Sequence, residues 1–107
     1  MAFLDETAEQ EVMRNKAVRG YIIRALAKGY NGALSARQIT NMLVADGLIM
    51  TPDIGKHLKY LEDGGYIEFT SKHISAYNAY RKEGVIRLTK RGVDLVEDTI
   101  QDAGVDV

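Results

Sequence analysis

The sequence predicts a mainly α-helical fold with a small β-hairpin, an α+β domain with the element order α-α-α-β-β-α. Three observations carry this. Two capped helices, Ser35 to Asp46 and Thr51 to Asp63, flank a tight turn at Gly47. Before them, Val18, Ile22, Ala25 and Leu26 recur at helical spacing. After them, Tyr66 to Thr70 and Val85 to Leu88 alternate apolar and polar, as half-buried strands do.

The first helix is expected from about Glu6 to Lys28. Its second half carries a core stripe. Projected backward, that stripe meets Glu11, Arg14 and Asn15, so the first half suits the same core poorly. It is expected to project as an arm, or to pack Leu4, Ala8 and Val12 on another subunit. Gly29-Tyr30-Asn31-Gly32 ends the helix with residues that tolerate positive φ.

Ser35-Ala36-Arg37-Gln38 reads as a capping box, in which the Ser hydroxyl and the Gln amide satisfy each other's backbone N–H groups. Ala36, Ile39, Met42 and Leu43 are its expected inward face. In the next helix Thr51 is the expected N-cap and Pro52 the first helical residue, where a missing N–H costs nothing. Ile54, Leu58 and Leu61 give its buried stripe, and Gly64-Gly65 stops it. Ile67 and Phe69 should pair across from Ile86 and Leu88 in an antiparallel hairpin. The polar stretch from Ser71 to Gly84 is either a long hairpin turning near Tyr77-Asn78 or a disordered loop. Thr89 caps a final helix using Val93, Leu95, Val96 and Ile100, and the tail is expected to fray over 103–107.

At 107 residues the chain is expected to be a single domain, with an acidic arm over about 1–12. It has no cysteine, which excludes disulfides and thiolate metal sites. No apolar run is long enough for a membrane span, so a cytoplasmic protein with no membrane partner is expected. Net charge is −1, yet its distribution is uneven. Residues 1–12 carry Asp5, Glu6, Glu9 and Glu11 and no cation, for −4. Residues 94–107 carry five acids and no cation, for −5. All 14 Lys and Arg fall within 13–93, against six acids, for +8. A basic middle between acidic ends suits a polyanion, although acidic ends are also common solubilising features.

Catalysis is not expected. The two histidines, His57 and His73, have no metal-ligand spacing, and Gly29-Tyr30-Asn31-Gly32 lacks the Lys-Ser/Thr of a phosphate loop. The acids Asp94, Glu97, Asp98 and Asp102 read as a solvated helix face. No cofactor and no metal are predicted.

Ile39…Leu43, then Ile54…Leu58…Leu61, Gly65-Tyr66-Ile67 and finally Leu88-Thr89-x-x-Gly92 resemble the winged helix-turn-helix superfamily over roughly residues 18–102. The pattern is similar to the bacterial repressor branches labelled MarR, PadR and ArsR, and to small winged-helix proteins encoded in prophages. The resemblance implies that helix 51–63 enters the major groove of double-stranded DNA, with wing 71–83 beside it. It also implies a homodimer through the first and last helices. With Ile54, Leu58 and Leu61 inward, Lys56, His57, Lys59 and Tyr60 face the groove, Thr51 stands at the helix start, and Asp53 in the leading turn opposes phosphate. Arg37 adds a backbone contact, and the wing adds Lys72, His73, Arg81 and Lys82. A transcriptional regulator is the expected function. The alternative is a winged-helix protein–protein adaptor without DNA binding, suggested by near-neutral charge, Asp53 and the aromatic pair Tyr77 and Tyr80.

Overall fold

A computed structural model describes residues 6–107, so the expected role of Leu4 lies outside the described residues. Four α-helices pack around a three-stranded antiparallel sheet in an α+β arrangement. Helix α1 spans Glu6–Lys28, as expected. Val18, Ile22, Ile23 and Leu26 on its second half are fully buried. Each such side chain withdrawn from water contributes about 1.5–3 kcal/mol, which fixes this half of the helix as the centre of the core. A 3-10 turn, Tyr30–Gly32, follows, with Asn31 at φ 55° and Gly32 at φ 69°.

The first departure from the expected order is strand β1, Ala33–Ser35. It pairs with β3, Val85–Leu88, which also pairs with β2, Ile67–Phe69. The sheet order is therefore β1-β3-β2. The β2–β3 register joins Ile67 to Leu88 and Phe69 to Ile86, as expected for the hairpin. On the outer face Arg87 Nη2 meets Glu68 Oε1 at 2.7 Å. β1 escaped the periodicity reading because three residues are too few to show alternation.

Helix α2 spans Ala36–Ala45 and begins with the capping box. Ser35 Oγ accepts from the Gln38 N–H at 3.0 Å, while Gln38 Oε1 accepts from the Ser35 N–H at 2.9 Å. Ala36, Ile39 and Leu43 face inward, but Met42 is exposed and Thr40 takes the buried place, its hydroxyl donating to the Ala36 carbonyl at 2.7 Å. At the end of α2 the N–H of Gly47 reaches Val44 and that of Leu48 reaches Leu43, both at 3.0 Å. This paired closure requires a left-handed residue, and Gly47 supplies it at φ 76°.

Helix α3 spans Gly55–Asp63, so it starts three residues later than expected, with Ile54 rather than Thr51 at the N-cap. Thr51 and Pro52 are not its cap and first turn; they belong to the preceding bend, where the Thr51 carbonyl accepts from the Asp53 N–H at 2.8 Å. Asp53 Oδ1 accepts from the Gly55 N–H at 3.2 Å, which gives this acidic residue a local job at the helix start. Ile54, Leu58 and Leu61 are buried as expected. The helix closes with Tyr66 N–H on the Leu61 carbonyl and Gly65 at φ 80°.

The segment 71–84 is neither a long hairpin nor an unstructured loop. It winds through successive turns and sinks Ala76 and Ala79 into the core. Asn78 Oδ1 accepts from the Ser75 N–H at 2.8 Å, and the Gly84 carbonyl accepts from the Ala36 N–H at 2.8 Å. Helix α4, Lys90–Val96, is capped by Thr89, whose Oγ1 accepts from the Gly92 N–H at 3.1 Å. It is shorter than expected, so Asp98 and Asp102 lie beyond it. Leu95 is buried, and Val96 and Ile100 pack on the chain's own core rather than standing free for a partner.

The tail expected to fray packs instead. Val105 is buried, the Asp106 N–H donates to the Lys16 carbonyl at 3.1 Å, and Arg24 Nη1 donates to the Asp106 carbonyl at 3.0 Å. A Cβ at Gly20 would overlap the Asp106 carbonyl oxygen, so the mid-helix glycine makes room for the tail. Tyr66, itself in the core, donates its hydroxyl to Asp102 Oδ2 at 2.6 Å. That bond, with the Gly104 N–H, holds the Asp102 carboxyl below the usual carboxylate range.

Candidate nucleic-acid interface

The ten residues expected to contact DNA separate into two groups. Lys56 and Lys59 stand exposed on α3, and Lys72, His73, Arg81 and Lys82 stand exposed on the 71–84 segment. These two elements adjoin. Arg81 and Tyr77 line a small cleft of about 200 Å³ against Pro52, Ile54 and Gly55. The Tyr77 ring lies so close to Gly55 that an added Cβ would sit 2.9 Å from its Cδ1. Lys59 pairs with Asp63 at 2.9 Å, one helical turn on, and this bond raises its pKa. Both partners are exposed, so solvent screens the pair and it holds the ammonium weakly.

The remaining expected contacts point elsewhere. His57 is 3% exposed, because Ile54, His57, Leu58 and Leu61 form one continuous inward stripe. Burial, then the charges of Arg19 and Lys56, push its pKa down to about 4, so the ring is neutral near pH 7. Its Nδ1 is buried without a hydrogen-bond partner. Tyr60 turns toward α1 and the tail: the Arg19 guanidinium sits 3.7 Å over its ring, and a Cβ at Gly104 would overlap its hydroxyl. Arg37 braces the 71–84 segment from α2. Its Nη1 meets Glu83 Oε1 at 3.0 Å, its Nη2 donates to the Tyr80 carbonyl at 3.2 Å, and its plane lies 5.0 Å from the Tyr80 ring. Thr51 is exposed but lies outside the helix it was expected to start.

A second, larger cleft of about 430 Å³ opens between the first half of α1 and residues 48–57. Arg14 on α1 and Lys56 on α3 both line it, as do Glu11 and Asp53. Arg14 was not among the expected site residues. Its signal was present in the backward projection of the α1 stripe, which carries Glu11, Arg14 and Asn15 where a core would need apolar groups.

Among the described residues no group of three or more His, Asp or Glu side chains is placed to hold a metal ion, and no helix is long and apolar enough to cross a membrane. No family model, curated protein or solved structure matches this chain.

Proposed function

We propose that the chain is a winged helix-turn-helix protein that binds double-stranded DNA and acts as a transcriptional regulator. The observation that carries this reading is the adjacency of α3 and the 71–84 segment, reached after α2 and a tight glycine turn, with exposed cations on both. On this reading α3 lies in the major groove and the segment serves as the wing. Lys56 and Lys59 contact phosphates, and Lys72, Arg81 and Lys82 follow the backbone or enter the minor groove. Asp53 is engaged with the Gly55 N–H, His57 is buried, and the exposed Tyr60 ring is stacked under the Arg19 guanidinium, so few side chains remain on α3 to read base edges. Phosphate contacts therefore dominate, and selectivity comes largely from the wing.

Fluorescence anisotropy with labelled duplexes at two or more salt concentrations tests the proposal. Binding should weaken steeply as salt rises, and Lys56→Ala and Arg81→Ala should each reduce the logarithmic salt slope by about one. Absence of binding at low salt, or binding indifferent to salt, overturns it. Tyr77, 70% exposed beside the start of α3, favours a second reading in which this surface docks a protein. A stable protein partner with no retention on DNA would select that reading.

A further inference from the structure

We infer that the 430 Å³ cleft between the first half of α1 and residues 48–57 binds a free α-amino acid with an apolar side chain. The inference stands apart from DNA binding. Each side of the cleft carries one acid and one base: Glu11 and Arg14 on α1, and Asp53 and Lys56 at the start of α3. The charges lining it therefore cancel, and all four residues are exposed. Its volume lies in the range of small-ligand clefts, roughly 300–1,000 Å³.

None of the four forms an ion pair with another described residue. Asp53 Oδ1 accepts from the Gly55 N–H, which leaves Oδ2 for another donor. A simple anion in the cleft would meet Glu11 and Asp53, and a simple cation would meet Arg14 and Lys56. In either case the like charges offset what the opposite charges gain. A zwitterion answers both signs. Its carboxylate suits the planar Arg14 guanidinium and the Lys56 ammonium, and its own ammonium suits the two carboxylates.

A second observation points to a ligand at the same place. His57 is the one buried polar side chain lining the cleft, and its Nδ1 has no hydrogen-bond partner. Buried polar atoms are nearly always paired, so an unpaired imidazole beside a cleft suits a donor that comes from outside the chain. The ring is neutral near pH 7 and keeps one acceptor nitrogen for an ammonium N–H. Leu48 and Ile49, half-buried, and Met50, 92% exposed, supply cover for an apolar side chain. Met50 is unbranched and adapts to the shape of what it covers.

Isothermal titration calorimetry of the full chain with L-leucine, L-methionine and L-phenylalanine, in the absence of nucleic acid, is the test. At least one should bind saturably, with a Kd below about 1 mM. The matching acid without the ammonium and the matching amine without the carboxylate should each bind at least about tenfold more weakly. Glu11→Gln should weaken the amino acid by about tenfold and leave the matching acid no weaker. Arg14→Gln should weaken it by about as much and leave the matching amine no weaker. Both positions are exposed, and circular dichroism checks that each variant is folded. Amide NMR shifts on titration should centre on residues 7–18 and 48–57. No saturable binding by any of the three, an analogue as tight as its amino acid, variants without these selective losses, or shifts centred elsewhere overturns the inference. A chain that binds DNA but none of the three would overturn the inference alone, and a chain that binds an amino acid but no DNA would leave it intact.

Discussion

The two halves of α1 share one helix and one continuous face, but not one environment. From Val18 to Lys28 that face carries Ile22, Ala25 and Leu26, all buried. From Thr7 to Ala17 it carries Gln10, Glu11, Arg14 and Asn15, and it looks over an open cleft. The second half is held by the removal of apolar surface from water. The first half has little to bury, and its helicity rests on continuity with the second. Periodicity therefore reports where a helix exists, and the residue types along its stripe report what lies beneath it.

The sharpest way to separate the halves is truncation of one side chain in each. Leu26→Ala should cost about 2–5 kcal/mol in urea unfolding, because it removes buried methyl groups and leaves a cavity. Val12→Ala, on the half-exposed first part, should stay within about 0.5 kcal/mol. Equal losses would mean that the first half has a packed partner within the same chain.

Acid should also act through the buried face of α3. Folded His57 stays neutral down to about pH 4, whereas an unfolded histidine takes up a proton near 6.5. The unfolded state therefore binds the extra proton between those values. Stability is full above pH 6.5 and falls as pH drops toward 4, by roughly 3 kcal/mol at 1.36 kcal/mol per pKa unit. His57→Leu should flatten that slope, as read from urea midpoints at several pH values. Asp102 works in a separate window: its depressed pKa gives stability that is present above its ordinary value of 3.8 and lost only at lower pH.

A third effect is expected at Gly20, where the C-terminal segment crosses α1. Alanine in a helix interior normally gains about 1 kcal/mol over glycine. Here its methyl overlaps the Asp106 carbonyl, so Gly20→Ala should instead lose about 1–3 kcal/mol and speed hydrogen exchange at the Asp106 amide. A gain in stability would show that the tail contact adds nothing.

Much of the fold was legible because its signals are local. The Ser35 capping box, the Gly47 and Gly65 closures and the Thr89 cap each sit within a few residues of the bonds they make. The antiparallel pairing of the two strands, with Ile67 and Leu88 inward, followed from alternation. What escaped depends on distant partners. β1 exists only because β3 lies beside it, and Val105 is buried only because Gly20 leaves room. The α3 start was misplaced because Thr51-Pro52 is a good beginning for a helix, and nothing nearby in sequence announces the bend. At the candidate site the exposed lysines were readable, but the roles of Arg37 and Tyr60 were not, since Glu83, Tyr80, Arg19 and Gly104 are remote in sequence. His57 was within reach: it falls at i+3 from Ile54, on the stripe already assigned to the core.

The strand order β1-β3-β2 has a consequence for synthesis. The middle strand is the last of the three to leave the ribosome. Until Val85–Leu88 emerges, neither Ala33–Ser35 nor Ile67–Phe69 has its ladder partner. A nascent chain that stops at Gly84 can form its first helices through local contacts, but it cannot close the sheet. The β1–β3 ladder in particular must draw together segments far apart in sequence, and that loop-closure cost must be met before any of its hydrogen bonds form. The helices are thus available to fold as they are made, and the sheet locks them afterward.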